Sequence, residues 1–283
     1  MRNTIIAASL ATAALAVPTL AAAQAAAAAP ASPHTLTGNL GLYSSYRFRG
    51  IDQTFGKPAL QGGIDYSHSS GFYAGNWNSN VNQGAGFPGG NLEMDFYGGW
   101  KKSWGDWGLD LGAIYYYYPG TNAGPLVPFS PFNNRPTDLR VLSGKVDNTE
   151  AYIGGSWKWI SLKYSHGISD YFGAPGTKNS HYLDLSANYD LGNGWGINGH
   201  VGSLKFKNMD NADYTDWKIG VTKDLSGWVL GASYIATNAK GDCNQGQFYC
   251  FSNGSLNFAN ATGVDKLKDA GRSTVVLSVS KTF

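Results

Sequence analysis

The chain has 283 residues, with 21 Lys+Arg against 19 Asp+Glu and a mean hydropathy of −0.25. So even a charge balance argues against a nucleic-acid-binding protein, and the length fits one large all-β domain or two small ones. Charged residues make up only 14 %, while Gly (38), Tyr (17) and Trp (9) are abundant, a profile that suits a barrel apolar outside and wet inside.

Arg2, the apolar run Thr4 to Leu20 and the small residues Ala21 to Ala25 read as a secretory signal peptide. The expected division is a signal peptide over 1–25, a flexible mature start over 26–34 and one β-domain over 35–283. No later segment has the ~18 consecutive apolar residues of a spanning helix. An exported chain that enters a membrane without one must do so as a closed barrel, because lipid cannot satisfy an open sheet edge.

From Leu36 onward the residues alternate between apolar and polar, the period of a strand. Strand one is predicted over Leu36 to Arg49, with Leu36, Leu40, Leu42 and Phe48 opposite Asn39, Tyr43, Arg47 and Arg49. Strand two, Ala59 to His68, sets Leu60, Ile64 and Tyr66 against Gln61, Asp65 and Ser67. Strand three, Phe72 to Val81, sets Tyr73, Trp77 and Val81 against Asn76, Asn78 and Asn80. The segment Asn91 to Pro119 reads as strands four and five of one hairpin. It turns Glu93, Asp95, Tyr97 and Lys101, then Asp110, Tyr116 and Tyr118, to the polar face, and leaves Tyr115 and Tyr117 on the apolar one. Seven further strands follow: Asn148 to Trp157, Ile160 to Ser169, His181 to Tyr189, Trp195 to Gly202, Tyr214 to Lys223, Trp228 to Ala236 and Ser273 to Phe283. Their polar faces carry Glu150, Lys163, Asp184, Asp216 and Lys218.

The connections alternate in length. Those after strands two, four, six, eight and ten are a few residues long; the others are longer, the longest being Pro119 to Asp147 and Thr237 to Arg272. A Trp or Phe stands beside every short turn: Phe72, Trp104 and Trp107, Trp157 and Trp159, Trp195, Trp228. Short turns on one rim, long loops on the other and an aromatic girdle predict a 12-stranded antiparallel up-and-down transmembrane β-barrel, with both chain ends on the periplasmic rim. A secreted β-sandwich would explain the alternation but not the order of loop lengths.

In an exported protein, Cys243 and Cys250 are expected to form a disulfide that tethers a loop tip. With no His nearby, a metal reading of the pair is poor, and no cofactor motif or metal site is expected. Asp210, Asn211, Asp213 and Asp216 lack calcium-loop spacing. Asn253-Gly254-Ser255 and Asn260-Ala261-Thr262 match glycosylation acceptors by chance in Asn-rich loop sequence. His68 and Ser70 share a strand face near Asp65, but no complete nucleophile, base and orienter is visible, so no enzyme is predicted.

The last strand, Val275 to Phe283, resembles the closing strand of bacterial outer-membrane barrels, with Val275, Leu277, Val279 and a terminal Phe283 at matching positions and Lys281 where an aromatic is usual. The resemblance implies recognition of Phe283 by the barrel-assembly machinery. Gly41 to Thr54 (GLYSSYRFRGIDQT), Pro58 to Trp77 and Glu93 to Trp100 closely resemble the proteobacterial TorF-type porin family, whose members began as conserved proteins of unknown function. That similarity runs from strand one to the terminal Phe. It implies an outer-membrane barrel and a presumed channel, and brings no substrate with it.

The expected function is passive diffusion of small polar solutes or ions through an outer-membrane lumen. The pore-lining candidates are Arg47, Arg49, Asp65, Glu93, Asp95, Tyr97, Asp110, Tyr116, Tyr118, Glu150, Lys163, Asp184, Asp216 and Lys218. The same charges could instead pair across the wall and fill a narrow lumen, and the Pro119 to Asp147 loop could fold inward or lie outside. The alternative reading is a closed structural or ligand-binding barrel presenting its loops; a lipid-acting barrel enzyme is a third. Expected partners are outer-membrane lipid, the assembly machinery and small solutes, with no nucleic acid and no specified oligomer.

Overall fold

The computed structural model describes residues 32–87, 89–121, 145–252 and 267–283. The segment read as a signal peptide, most of the Pro-rich loop after Pro119 and both glycosylation-like sequences lie outside the described residues. Twelve antiparallel strands form a closed barrel: β1 (His34–Tyr43), β2 (Ala59–His68), β3 (Phe72–Asn80), β4 (Leu92–Trp104), β5 (Trp107–Tyr117), β6 (Asn148–Trp157), β7 (Ile160–Gly167), β8 (His181–Gly192), β9 (Trp195–Lys205), β10 (Tyr214–Leu225), β11 (Trp228–Thr237) and β12 (Thr274–Thr282). Each wall strand pairs with its neighbours in sequence, and β12 returns to β1. This is the up-and-down barrel that the alternation and the loop lengths predict.

Closure is made by backbone. Asn39 stands opposite Thr282 and Tyr43 opposite Ser278. Beyond the ladder, Gly38 and Phe283 exchange N–H···O bonds of 2.7 and 2.9 Å. No edge is left unpaired around the ring, which is the condition for a sheet in lipid. The short connections are tight. Asn193-Gly194 and Ser226-Gly227 hold positive φ at both positions, 53° and 76°, then 55° and 90°, the pattern of the type I′ turn whose twist matches the flanking strands.

The outward face is apolar along the whole wall. Leu60, Ile64, Leu111, Ile153, Leu162, Leu185, Ile219 and Leu277 all stand exposed on it. At the short-turn rim the exposed side chains become Phe72, Trp104, Trp107, Trp157, Trp159, Trp195, Trp228 and Phe283. An apolar band of this extent in contact with water would be very costly. With an aromatic ring at its edge, it is the outer surface of a membrane-spanning barrel.

Two predicted strands differ from the structure. Strand one ends at Tyr43, not Arg49. The chain leaves the wall there, and Arg47-Phe48 pairs with Ile51-Asp52 as a separate two-residue ladder inside the ring. Phe48, expected to face lipid, instead packs edge-on against Tyr116 and Phe172, with ring centroids 5.5 and 5.8 Å apart. The cause is the pair Arg49-Gly50, whose φ values of 49° and 78° reverse the chain.

β3 has its faces inverted relative to the expectation. Tyr73, Trp77 and Ser79 turn inward, while Asn76, Asn78 and Asn80 turn outward. Register decides this: Gln61 pairs with Ser79 and Asp65 with Gly75, and those partners face the lumen. The outward asparagines satisfy themselves laterally. Asn76 Nδ2 donates to the Asp95 carbonyl at 3.0 Å, Asn78 Nδ2 donates to Asn76 Oδ1 at 2.6 Å, and Asn80 Oδ1 accepts from Leu60 N–H at 2.7 Å. Val81 is likewise buried rather than lipid-facing.

The wall's two faces give a paired prediction. Leu185→Arg, mid-wall and outward, should destabilise the barrel by ~2–4 kcal/mol, the cost of an arginine in the lipid midplane. Ser186→Arg, its inward neighbour, should cost less than half of that. Denaturant titration of reversible folding into lipid vesicles measures both, and equal losses would contradict the assigned faces.

Candidate functional site

The barrel lumen collects nearly all the polar side chains of the wall. Asp65 (β2), Glu93, Asp95 and Tyr97 (β4), Asp110 and Tyr116 (β5), Glu150 (β6), Lys163 (β7), Asp184 (β8), and Asp216 and Lys218 (β10) stand at inward positions of their strands. Tyr118 lies one residue beyond β5 and is buried. Arg49 reaches the lumen from the small inward hairpin and not from the wall, whereas Arg47, on the same hairpin, is held by Asp52 and by the backbone carbonyls of Ala270 and Arg272 ahead of β12.

The inward groups form hydrogen-bonded clusters. Tyr73 Oη lies 2.6 Å from Asp110 Oδ1 and 2.5 Å from Tyr152 Oη, and Tyr97 Oη donates to Asp65 Oδ1 at 2.5 Å. On the other side His200 bridges two carboxylates, with Nδ1 2.7 Å from Asp184 Oδ2 and Nε2 3.3 Å from Asp216 Oδ2. Tyr182 Oη donates to Asp216 Oδ1 at 2.8 Å, and Ser186 Oγ donates to Asp184.

Lumen tyrosines lie flat along the wall rather than across it, and glycine makes this possible. A Cβ on Gly75 would stand 2.5 Å from the Tyr97 ring; on Gly112 it would stand 2.5 Å from Tyr152 Oη; on Gly99, 2.7 Å from Tyr73 Oη; on Gly202 it would overlap the Tyr182 phenol. Each ring therefore occupies the space a neighbouring strand has left empty. At these four positions the glycine is explained by this seating.

The segment Ser44–Pro58 folds into the lumen and crosses it. Tyr46, at its base, packs edge-on against Trp77 (5.4 Å) and donates its hydroxyl to Glu93 Oε1 at 3.1 Å. Burial, and then the negative charge of Glu93 and Asp95, push the Tyr46 pKa up, so its hydroxyl stays a donor. At the tip, Arg49 grips Glu150 in a fork: Nη1 to Oε1 at 2.9 Å and Nη2 to Oε2 at 2.7 Å. Nη1 also donates to Tyr171 Oη at 2.8 Å, and the guanidinium carbon lies 4.2 Å from the Tyr182 ring centroid. Burial works against the Arg49 charge, but the Glu150 carboxylate outweighs it and raises the pKa well above the ordinary arginine value. Asp52 holds Arg47 at 3.6 Å. Ile51 sits in an aromatic nest with Tyr171, Tyr182, Tyr214 and Tyr249.

This hairpin divides the lumen. At its level the inward residues are buried: Glu93, Asp95, Tyr116, Glu150, Tyr182, Tyr214 and Asp216. Toward the short-turn rim, Thr37, Asn39, Asp65, Ser186, Asn198, Lys218, Ser233 and Ser278 are part-exposed, while Asp110, Tyr152, Lys163 and Ser280 are buried against their neighbours. The lumen is thus less tightly filled on the short-turn side than at the hairpin. Alternation alone puts both arginines and His200 on the polar face, but it turns Trp77 outward and gives no sign of Tyr46 or Tyr171. The available signal was Phe48-Arg49-Gly50-Ile51, a two-residue turn between apolar residues.

The sequence matches the family described as "Bacterial protein of unknown function (Gcw_chp)" over residues 27–283. The chain belongs to this family. No curated protein matches it. Among solved structures it is similar to the KdgM porin, at 7 % identity and a TM-score of 0.49, covering 87 % of this chain and 99 % of that one. It is also similar to the NanC porin, at 10 % identity and a TM-score of 0.45, covering 88 % and 99 %. A third is the TodX monoaromatic hydrocarbon channel, in a deletion mutant, at 10 % identity and a TM-score of 0.45, covering 89 % and 90 %.

Among the described residues, neither a catalytic triad nor a calcium loop is assembled. His68 Nδ1 does lie 2.7 Å from Ser70 Oγ. But Asp65 faces the lumen, bonded to Tyr97, while His68 faces outward beside His34, 5.0 Å between ring centroids. The orienting carboxylate of a triad is on the wrong face of the sheet. Asp210, Asp213 and Asp216 also separate: Asp213 takes Lys205 Nζ at 3.0 Å, and Asp216 serves the lumen. No group of three or more His, Cys, Asp or Glu suited to a metal occurs among the described residues. Cys243 and Cys250 are joined in a disulfide on the loop after β11.

Removing one partner of a buried ion pair leaves an uncompensated charge. Arg49→Met should therefore destabilise the barrel by ~3–5 kcal/mol. The double variant Arg49→Met/Glu150→Met should recover most of that loss. Unfolding titrations of the three proteins check it; additive losses would show that the fork contributes nothing as a pair.

Proposed function

We propose that this chain is an outer-membrane channel of a Gram-negative bacterium, exported by a cleaved signal peptide and passing small polar solutes or ions by passive diffusion. The observation that carries the reading is the closed wall: apolar outside, polar and charged inside, with its tyrosines seated flat on glycines so that the centre is not filled by the wall itself. The part-exposed lumen residues on the short-turn side support it, since a water-filled lumen is what such a lining favours. The resemblance of Gly41 to Thr54 and its companion segments to the TorF-type porins supports the same reading. Lipid contacts the outward apolar band, and the barrel-assembly machinery engages the closing strand that ends in Phe283.

The inward hairpin Ser44–Pro58 sets the narrowest point, and the residues proposed to line the passage are those that face it. A closed barrel that binds a ligand at its loops is the second reading. The densely packed layer around Arg49 and Ile51 favours it.

Single-channel recording of the refolded full chain in planar bilayers separates the two. The channel reading expects discrete conductance from the intact chain, and a larger one when residues 45–57 are replaced by a short Gly-Ser link. Conductance only in the shortened chain would support the closed barrel. None in either would end the channel reading and leave the fold in place.

A further inference from the structure

At mid-height the other wall strands turn apolar, aromatic or small side chains to the lipid, and β3 does not. Counted upward from Phe72, the aromatic beside its short turn, the outward residues four and six positions along are Asn76 and Asn78. At the same count β5 has Leu111 and Ala113 above Trp107, and β9 has Gly199 and Val201 above Trp195. With a rise of about 3.3 Å per residue and the usual strand tilt, the two amides stand roughly 10 and 15 Å above the rim, within the hydrocarbon. Their partners in the ladder face lipid too: Asn76 stands between Ile64 and Phe96, and Asn78 between Gly62 and Met94.

The lateral bonds of these amides do not use them up. An amide has two N–H donors and two acceptor lone pairs. Asn78 gives its donors to Asn76 Oδ1 at 2.6 Å and to the Gly62 carbonyl at 3.5 Å, and its own Oδ1 accepts nothing among the described residues. Asn76 makes one donor bond, to the Asp95 carbonyl, and one acceptor bond. Both side chains are part-exposed on the outside of the barrel, so an occupant reaches them directly. Acyl chains offer such groups nothing, and polar side chains within a bilayer turn toward protein. The surroundings admit a close approach. Gly62, Ala74 and Gly98 are outward positions beside the asparagines, and small residues next to a hydrogen-bonding side chain are what packed membrane segments share.

We propose that the outward face of β2, β3 and β4 is the contact between two copies of this chain, paired about a two-fold axis along the membrane normal with the asparagine stripe at its centre. Both copies span the membrane with their short turns on the same side, so each residue meets residues of its own height. The stripe therefore meets itself. An amide is its own complement, donor to acceptor, whereas a wholly apolar neighbour would leave the Asn78 oxygen as unsatisfied as lipid does. The inference needs the wall to lie in a membrane, and it holds whether or not the lumen conducts.

The test is a count of copies. The full chain, labelled at its amino terminus and refolded into phosphatidylcholine vesicles over a series of protein-to-lipid ratios, is counted by stepwise photobleaching. Pairs are expected. Asn76→Leu/Asn78→Leu should raise the ratio at which half the chains pair by about tenfold or more, the scale of a few side-chain hydrogen bonds in a bilayer. Its barrel should stay folded, as read by heat-modifiable mobility, because the exchange makes the lipid face more apolar. The two native cysteines are joined to each other, so an added cysteine is the free thiol. Oxidation should cross-link two copies of Ala74→Cys and should not cross-link Ala187→Cys, on the outward face of β8. Single copies at every ratio, clusters of three or more, a folded double variant that pairs as well as the intact chain, or equal cross-linking at the two positions would each overturn the inference. None of these outcomes bears on the channel reading.

Discussion

Lipid offers a peptide group no hydrogen bond, and every other feature of this protein follows from that constraint. A sheet can enter such a solvent only if it has no edge. The ring is closed by the last strand against the first, down to the paired backbone of Gly38 and Phe283. Once closure is fixed, the period of two along each strand divides the chain into lipid-facing and lumen-facing halves. The apolar majority goes outward, which inverts the arrangement of a water-soluble domain. Charged side chains then have one place to go, and the interior becomes the polar part of the molecule.

A small barrel must still decide what fills its centre. Here the wall and the loops give different answers. The wall side chains are kept out of the centre: tyrosines are seated against glycines of neighbouring strands, and serines and glycines line β11 and β12. What occupies the upper lumen is a piece of loop. The hairpin Ser44–Pro58 brings its own hydrogen-bonded ladder, so its backbone does not depend on the wall for partners. It then adds aromatic contacts on two sides, Tyr46 with Trp77 and Phe48 with Tyr116. Filling by a separable segment leaves the wall of one half less tightly packed.

Most of the wall was legible in the sequence because its signal is repeated twelve times and each repeat is checked by loop length. The split of Tyr115 and Tyr117 from Tyr116 and Tyr118 is of this kind: the first pair faces out, and the second is 2 % exposed inside. β3 was misread because its asparagines look like lumen residues. Their amides bond sideways to backbone carbonyls and to one another, which polarity alone does not reveal. Phe48, Arg47 and Arg49 were misplaced because the alternation of strand one continues past Tyr43, although Gly50 ends it. Local period carries no record of the chain leaving the wall. The partners of Arg49 were beyond reach altogether, since Glu150 is a hundred residues away in sequence and meets it only through closure.

The Arg49–Glu150 fork shows why a charge stands at the tip of the hairpin. A leucine there would pack against Tyr182 and Phe48 in several orientations at similar energy, because dispersion contacts are not directional. A guanidinium has five donors in one plane and only one carboxylate within reach that meets two of them at once. The pair costs desolvation, so its value lies less in stability than in position. It fixes the depth and rotation of the hairpin, and through Tyr46 it fixes what stands next to Glu93. The geometry of the narrowest part of the lumen is thereby determined by an interaction with one solution, while the packing around it needs only to be apolar and of about the right size.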